Sequence, residues 1–288
     1  MSKVVITGPS GFVAKNLISY LKSKGGYDIV ELSLRKEDWQ DTDFSDVDAI
    51  VHLAAISSAK KDVSNDIYKS VNVDLTKRLA LKAKENNVFF VFVSSMGVMF
   101  DKPPSLSKNY ILDKKTECIP TSNYPKSKYE AEIVLKGLVD DNFKVAIVRP
   151  PIIYGAGCAG NYALLRKIAL KLPFFPDVKN RKSMIYVGNL CELFRLIIDN
   201  KSDGLFLPQN KELVETKDLV AKISQCNGKK IYFSKLMGIA VKLFAPFVAK
   251  IAKAFGNLYY TKADSDAFDG EYQIFDFETS IELTEKQK

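Results

Sequence analysis

The stretch Ile6-Thr7-Gly8-Pro9-Ser10-Gly11-Phe12-Val13-Ala14 decides the fold. The apolar run Val4-Val5-Ile6 before it reads as a strand, and the amphipathic stretch 12–24 after it reads as a helix, so the glycines stand in the turn between. Gly8 permits a tight turn, Gly11 lets backbone come close to a ligand, and the small Ala14 lets the helix lie against the strand. The helix start offers unpaired N–H groups that attract a pyrophosphate. Gly8, Ser10, Gly11, Phe12 and Val13 are therefore expected to cradle a dinucleotide.

Working outward, short apolar runs at 3–7, 28–34, 48–54, 88–94 and 143–149 alternate with helical patterns at 12–24, 65–87 and 125–139. That alternation, with right-handed crossovers, predicts an α/β fold: a doubly wound parallel Rossmann sheet. Beyond Tyr154 the pattern turns irregular, through Gly155, Gly157, Gly160, Pro173 and Pro176. A β-α pass returns over Ser183–Asp199, with a further strand at Leu205–Leu207. The expected organisation is a dinucleotide-binding domain over 1–154, with a returning segment about 183–207. Residues 155–288 are mainly a smaller substrate-binding lobe assembled from separated segments.

Composition narrows the function classes. Hydrophobic residues make up 47% and charged residues 26% of the 288, an ordinary globular balance. A single histidine excludes a His-rich metal site, and no metal is expected. Four cysteines lie far apart with no C-x-x-C pair, and the chain runs from Met1 into the first strand. These read as reduced thiols in a cytoplasmic protein without a secretory leader. Net charge +8 comes without a nucleic-acid motif, so a phosphorylated ligand is the expected anion and nucleic acid is not a partner.

The strand ends carry the next signals. The second strand places Ser33, then Arg35, where an acid would grip a ribose diol. A hydroxyl and a guanidinium suit a 2′-phosphate better, which leans toward NADP over NAD. Arg35 as a solvated surface charge is the competing reading. Asp38 and Trp39 come where a loop reaches an adenine edge, and Trp39 either flanks the base or caps the core. The run Val51-His52-Leu53-Ala54-Ala55 leaves room for the dinucleotide at the strand tips, with His52 a buried strand residue. Asn72, in the following helix, either bonds the backbone of the active site or satisfies its own helix.

Tyr124 and Lys128 stand at i and i+4 at the start of a helix and so share one face. An ammonium beside a phenol favours phenolate and is expected to lower its pKa from about 10 toward neutral. That would make Tyr124 a general base for an alcohol proton. Pro125 suits a first helical turn and biases the residue before it out of helical geometry, which puts Tyr124 at the cap. Ser94-Ser95 closes the preceding strand, and a hydroxyl there can hold a substrate oxygen and relay a proton.

The ordered set Thr7-Gly8-x-x-Gly11-Phe12-x-Ala14, His52-Leu53-Ala54-Ala55, Val93-Ser94-Ser95, Tyr124-Pro125-Lys126-Ser127-Lys128 and Arg149-Pro150-Pro151-x-x-Tyr154-Gly155 resembles the extended short-chain dehydrogenase/reductases. Within them it is most similar to the NAD-dependent epimerase/dehydratase group of UDP-glucose 4-epimerase-like enzymes. The resemblance implies a bound NAD or NADP, contacts from Ser94, Pro151 and Ile152, and a Ser95, Tyr124 and Lys128 triad. Lys128 would also hold the nicotinamide ribose. Three departures bear on substrate. Met96-Gly97 stands where sugar 4,6-dehydratases carry Asp-Glu, so a dehydratase is not expected. The diphosphate arginine falls on Lys182, with Arg181 adjacent, and a lysine meets phosphate without the bidentate fork. A second arginine has no match around Thr261–Asp266.

The function expected is a nucleotide-sugar 4-epimerase acting through a 4-keto sugar. A UDP-hexose for surface polysaccharide is the expected substrate, with Ser95, Met96, Asn161, Arg181 and Lys182 toward it. The alternatives are an NADPH-dependent 4-keto-sugar reductase, a sterol-type dehydrogenase/reductase and a non-catalytic dinucleotide sensor. The sugar diphosphate is placed between 157–161 and Arg181/Lys182. Homodimer pairing stays open. Ser234–Phe255 reads as a basic amphipathic segment split by Pro246. The preferred reading is two helices packing their apolar face over the sugar pocket, and the alternative is peripheral contact with a membrane surface.

Overall fold

Strands rich in Val, Ile and Phe that are apolar on both faces can only sit inside a layered sheet. The computed structural model describes residues 1–57, 63–100 and 104–286. In chain order its elements begin with β1 (Ser2–Thr7), α1 (Phe12–Lys24), β2 (Tyr27–Leu32), β3 (Ala49–His52), α2 (Asn65–Tyr68) and α3 (Leu75–Glu85). Next come β4 (Phe89–Val93), β5 (Asn109–Leu112), α4 (Asn123–Leu138), β6 (Val145–Val148), β7 (Ile152–Tyr154) and α5 (Asn161–Lys171). Then follow β8 (Phe174–Pro176), β9 (Met184–Tyr186), α6 (Val187–Asn200), β10 (Gly204–Phe206) and α7 (Thr216–Cys226). The last are β11 (Tyr232–Ser234), α8 (Lys235–Phe244), α9 (Ala249–Phe255), β12 (Asn257–Tyr260), α10 (Lys262–Ser265) and α11 (Phe277–Lys286).

The chain divides into two compact units. The first comprises Met1–Asp101, Glu117–Pro150 and Leu190–Pro208. Its sheet has six strands in the order β2-β1-β3-β4-β6-β10, every pairing parallel. This is the doubly wound Rossmann arrangement expected from the apolar runs. One core packs Val5, Ile50, Phe90 and Ile147 of the strands against Leu79 and Ala83 of α3 and Leu135 of α4, all buried. The order reverses at β1, which has β2 on one side and β3 on the other. Ligands of such sheets bind at the carboxyl tips beside that switch point.

Two local expectations change. The helix expected over 65–87 is interrupted by a π turn at Lys69–Asp74, where the Leu75 N–H reaches back to Ser70 O. Such turns hold one extra residue and cluster at functional sites. Helix α4 begins at Asn123 after an N-cap at Ser122, so Tyr124 lies inside the first turn and not at the cap. First-turn N–H groups have no intrahelical acceptor, so Pro125 loses nothing there.

The second unit comprises Lys102–Thr116, Pro151–Asn189 and Gln209–Lys288. It is held by three two-stranded parallel ribbons, β8–β11, β5–β12 and β7–β9. A tyrosine stack forms its centre, with the Tyr154 and Tyr162 rings 5.4 Å apart. The Tyr154 hydroxyl meets Ser280 Oγ at 2.6 Å and accepts from Asn210 Nδ2 at 2.8 Å. The expected packing of the whole Ser234–Phe255 apolar face is not what the chain adopts. α9 buries Ala252 and Phe255, whereas α8 buries only Gly238. The Pro246 break ends the common helical face, and the glycine gives α8 a contact edge without a side chain. Among the described residues no helix is long and apolar enough to cross a membrane.

Candidate active site

The glycine turn is shaped by contact. Gly8 has φ +65°, and a Cβ there would lie 2.9 Å from Ala54 Cα, so neither the backbone nor the space admits a side chain. Gly11 caps α1 without a side-chain hydrogen bond and donates its own N–H to Gly8 O at 2.9 Å. The N–H groups that follow, from Phe12 and Val13, point along the helix start without intrahelical acceptors. Gly8 also donates to Leu32 O at 3.2 Å, which brings Ser33 beside the turn. Ser10, Ser33, Arg35 and Asp38 are exposed, and among the described residues Arg35 makes no ion pair. Trp39 takes the other of its two roles: it is buried in the core, under the Arg78 guanidinium.

Behind the strand tips runs a buried chain of hydrogen bonds. Thr7 Oγ1 accepts from the Leu53 and Ala54 N–H groups at 3.0 and 3.1 Å and meets His52 Nδ1 at 2.9 Å. His52 Nε2 meets Thr76 Oγ1 at 2.9 Å, and that hydroxyl donates to Asn72 O at 2.8 Å. With the Thr76 proton so engaged, Nε2 carries the histidine proton and Nδ1 accepts from Thr7. Burial pushes the imidazole down to about 3, which keeps it neutral. Asn72 Nδ2 then donates to Ser127 Oγ at 2.9 Å and to Ile56 O at 3.1 Å, while its Oδ1 accepts from Ile56 N–H at 2.8 Å. Ser127 Oγ closes the chain by donating to Tyr124 O at 2.8 Å. The Asn72 side chain thus bonds the Ile56 backbone and does not serve its own helix.

Ser95, Tyr124 and Lys128, the expected reacting set, lie after the tip of β4 and in the first turns of α4. Ser95 caps a short 3-10 turn at Met96–Met99, its Oγ accepting from Gly97 N–H at 3.1 Å. Gly97 packs so closely on Pro125 that a Cβ would stand 3.3 Å from the proline ring, which ties the Ser95 turn to the tyrosine helix. Met96 is buried and donates its N–H to Pro150 O at 2.9 Å. Tyr124 is half-buried, its ring 6.4 Å from that of Tyr68. Lys128 is buried with its ammonium 4.0 Å from the centre of the Phe92 ring.

These surroundings correct the expected charge logic. Burial, then Tyr68, pushes the Tyr124 phenol up to about 12, while burial brings Lys128 down to about 7 despite Glu132 nearby. The ammonium faces an aromatic ring, and desolvation outweighs its pull on the phenol. Lys128 therefore costs stability in the isolated chain. The unfolded state binds more protons between about pH 7 and 10.5, so stability contributed at this position rises with pH across that window. Lys128→Met is expected to stabilise the chain at pH 7, with the gain shrinking toward pH 10 as turnover is lost. Urea unfolding at both pH values checks it, and equal destabilisation at each would refute the assignment.

The same groups fit a dinucleotide. Among the described residues Ser94 Oγ is buried without a hydrogen-bond partner just past β4. Buried Lys128, which meets no carboxylate at bonding distance among the described residues, and a glycine cradle closed to any Cβ complete the accommodation.

In the second unit Asn161 and Lys182 line one cavity of about 150 Å³, together with Ile152, Lys250 and Lys253. Among the described residues no acidic side chain lines it. Lys182 is buried, its ammonium donating to Lys253 O, and burial brings it down to about 8. Arg181 is exposed and does not line this cavity, and Gly157 lines a different one with Arg166 and Lys167. The basic pair expected at 181–182 is therefore divided, because strand-like backbone sends neighbouring side chains to opposite faces. Lys250 and Lys253 take the missing place. Their helical spacing on α9 was the signal, obscured by pooling them with the lysines before Pro246.

Comparison with known proteins follows from this geometry. The model of the NAD dependent epimerase/dehydratase family matches residues 4–206. The chain belongs to that family. It is 28% identical to a UDP-glucose 4-epimerase of Vibrio cholerae, over 86% of this chain and 82% of that one. It is 30% identical to the N-acetyl-alpha-D-glucosaminyl-diphospho-ditrans,octacis-undecaprenol 4-epimerase of Escherichia coli O157:H7, over 79% and 73%. The fold matches the crystal structure of UDP-N-acetylglucosamine 4-epimerase from Bacillus cereus with TM-score 0.79 at 16% identity, covering 99% of each chain. This epimerase/dehydratase is an extended short-chain dehydrogenase/reductase enzyme that uses NAD or NADP.

Proposed function

We propose that the protein is a nucleotide-sugar 4-epimerase that works through a 4-keto intermediate, with a UDP-hexose as substrate. The observation that carries this reading is the cavity where Asn161, Lys182, Lys250 and Lys253 converge without an acid, a setting for a diphosphate. The relatives spanning most of the chain support it, since both are 4-epimerases of sugars carried on a diphosphate. In this reading Tyr124 exchanges a proton with the C4 hydroxyl, and Ser95 Oγ holds the same oxygen. Lys128 holds a ribose hydroxyl of the cofactor, and Ser94 and the glycine turn fix its position. When bound, a nicotinamide would supply the site that takes up and gives back the C4 hydride and a positive charge favouring the phenolate that burial alone opposes. Tyr124 then reprotonates the C4 oxygen after the sugar has turned its other face.

The test is incubation with UDP-glucose and UDP-N-acetylglucosamine, following both C4 epimers by NMR. Interconversion without net use of added dinucleotide is expected. No interconversion of either sugar, or consumption of dinucleotide mole for mole, would overturn the reading.

Mole-for-mole reduction of added NADP by these C4-hydroxyl sugars, the reverse reaction, would mark a 4-keto-sugar reductase, which Ser33 and Arg35 favour because reductive enzymes draw on NADPH. On that side we expect tighter binding of NADP than NAD. Arg35→Ala should narrow the gap by about tenfold, the loss of one charged contact to phosphate. Fluorescence titration with both dinucleotides decides it, and an unchanged ratio in the variant would remove Arg35 from the site.

A further inference from the structure

We infer that α8 and the elbow after it lie in the headgroup layer of an anionic phospholipid bilayer. From Gly228 to Pro246 the chain carries Lys229, Lys230, Lys235 and Lys242 and no Asp or Glu. Within that stretch α8 touches the rest of its unit along its glycine edge, where a Cβ on Gly238 would stand 2.4 Å from Asp177 O. At about 100° per residue, Leu236, Ile239, Leu243 and Phe244 lie on the side away from Gly238. They are exposed: Leu236 by 77%, Leu243 by 65% and Phe244 by 57%. Phe247, on the elbow that Pro246 creates, is exposed by 84%. A water-facing apolar helix of this size marks a surface that meets something.

The neighbouring ribbon extends the same character. β11 leads directly into α8, and its Tyr232 is exposed beside Phe174 of β8, the ring centres 5.9 Å apart. Exposed tyrosine beside aromatic and leucine side chains is the composition of a membrane-interface belt. Lys235 and Lys242 rise from α8 between the glycine edge and the apolar arc, where long stems can reach phosphate while the arc enters the acyl boundary.

Charge selects the occupant. A second copy of this chain would bring Lys235 and Lys242 against the same two lysines, and like charges would repel. An anionic bilayer offers complementary charge and an apolar layer at the same time. The inference stands apart from the epimerase reading, because it needs no substrate and its test reads no turnover.

The test is flotation of the full chain with vesicles of phosphatidylcholine alone, or with about one quarter phosphatidylglycerol. At least about tenfold more protein should float with the anionic vesicles, and raising salt from about 0.1 M to about 0.5 M should release most of it. The double variant Leu243→Glu/Phe247→Glu should stay at the bottom with unchanged circular dichroism. Lys235→Ala/Lys242→Ala should bind less at low salt. Two results would overturn the inference. One is wild-type protein that remains at the bottom with every vesicle at low salt. The other is a dimer by light scattering that Leu243→Glu/Phe247→Glu converts to monomer, which would assign the face to a second copy.

Discussion

Replacing Tyr124 with phenylalanine is expected to lower turnover by at least about a hundredfold, the usual loss when a general acid–base group is removed. The variant keeps the ring that packs near Tyr68. Among the described residues the Tyr124 hydroxyl has no hydrogen-bond partner, so its removal leaves no orphaned group behind. Dinucleotide affinity and the unfolding midpoint should therefore stay close to wild type. The pH profile is the sharper readout. A phenol held near 12 in the isolated chain must be drawn down by the bound cofactor to serve as a base. The acidic limb of turnover should accordingly report that lowered value and vanish in the variant's residual activity. Steady-state rates of purified wild type and variant, with cofactor content measured on each, decide the matter. Turnover within a few-fold of wild type would sink the assignment.

Glu132→Ala should cost about 3–5 kcal/mol of folding stability, the range for a buried ion pair that loses one partner. Glu132 on α4 and Arg149 after β6 are both almost wholly inaccessible. They pair through two parallel bonds, Arg149 Nε to Oε1 at 3.0 Å and Nη2 to Oε2 at 2.5 Å. Without the carboxylate, a buried guanidinium would lose two charge-assisted bonds. Glu132→Gln keeps the shape and should cost less. It also removes the one charge that supports the Lys128 ammonium, so its effect should reach the active site. Urea unfolding at pH 7 measures both variants. A loss below about 1 kcal/mol for Glu132→Ala would show that the guanidinium finds water or another acceptor.

How much of this was legible in the sequence follows from the range of each interaction. The glycine turn was readable because backbone geometry itself excludes other residues at Gly8, and β1, β2, β3, β4 and β6 were readable as apolar runs. Tyr124 and Lys128 were readable as a pair because a helix brings i and i+4 to one face. Their ionisation was not, since desolvation depends on residues such as Phe92 and Tyr68 that only the fold brings near. The chain from Thr7 through His52 and Thr76 joins positions on β1, β3 and α3. Each of those residues taken singly reads as an ordinary polar residue in an element. Lys250 and Lys253 were hidden for a different reason: they lie within one basic stretch with Lys235 and Lys242, and only the break at Pro246 gives α9 a direction of its own.

The π turn at Lys69–Asp74 has a consequence for how this protein tolerates change. One surplus residue sits in an otherwise regular helix, and the Leu75-to-Ser70 bond spans it. Deleting any single residue there would restore a uniform spiral at no local cost. It would also turn residues within the segment away from their present directions, by up to about 100° around the axis. Asn72 could no longer grip both Ile56 and Ser127. At this place the length of the segment and the amide of Asn72 together set the contacts, so the loss of one residue would act as the loss of that side chain does.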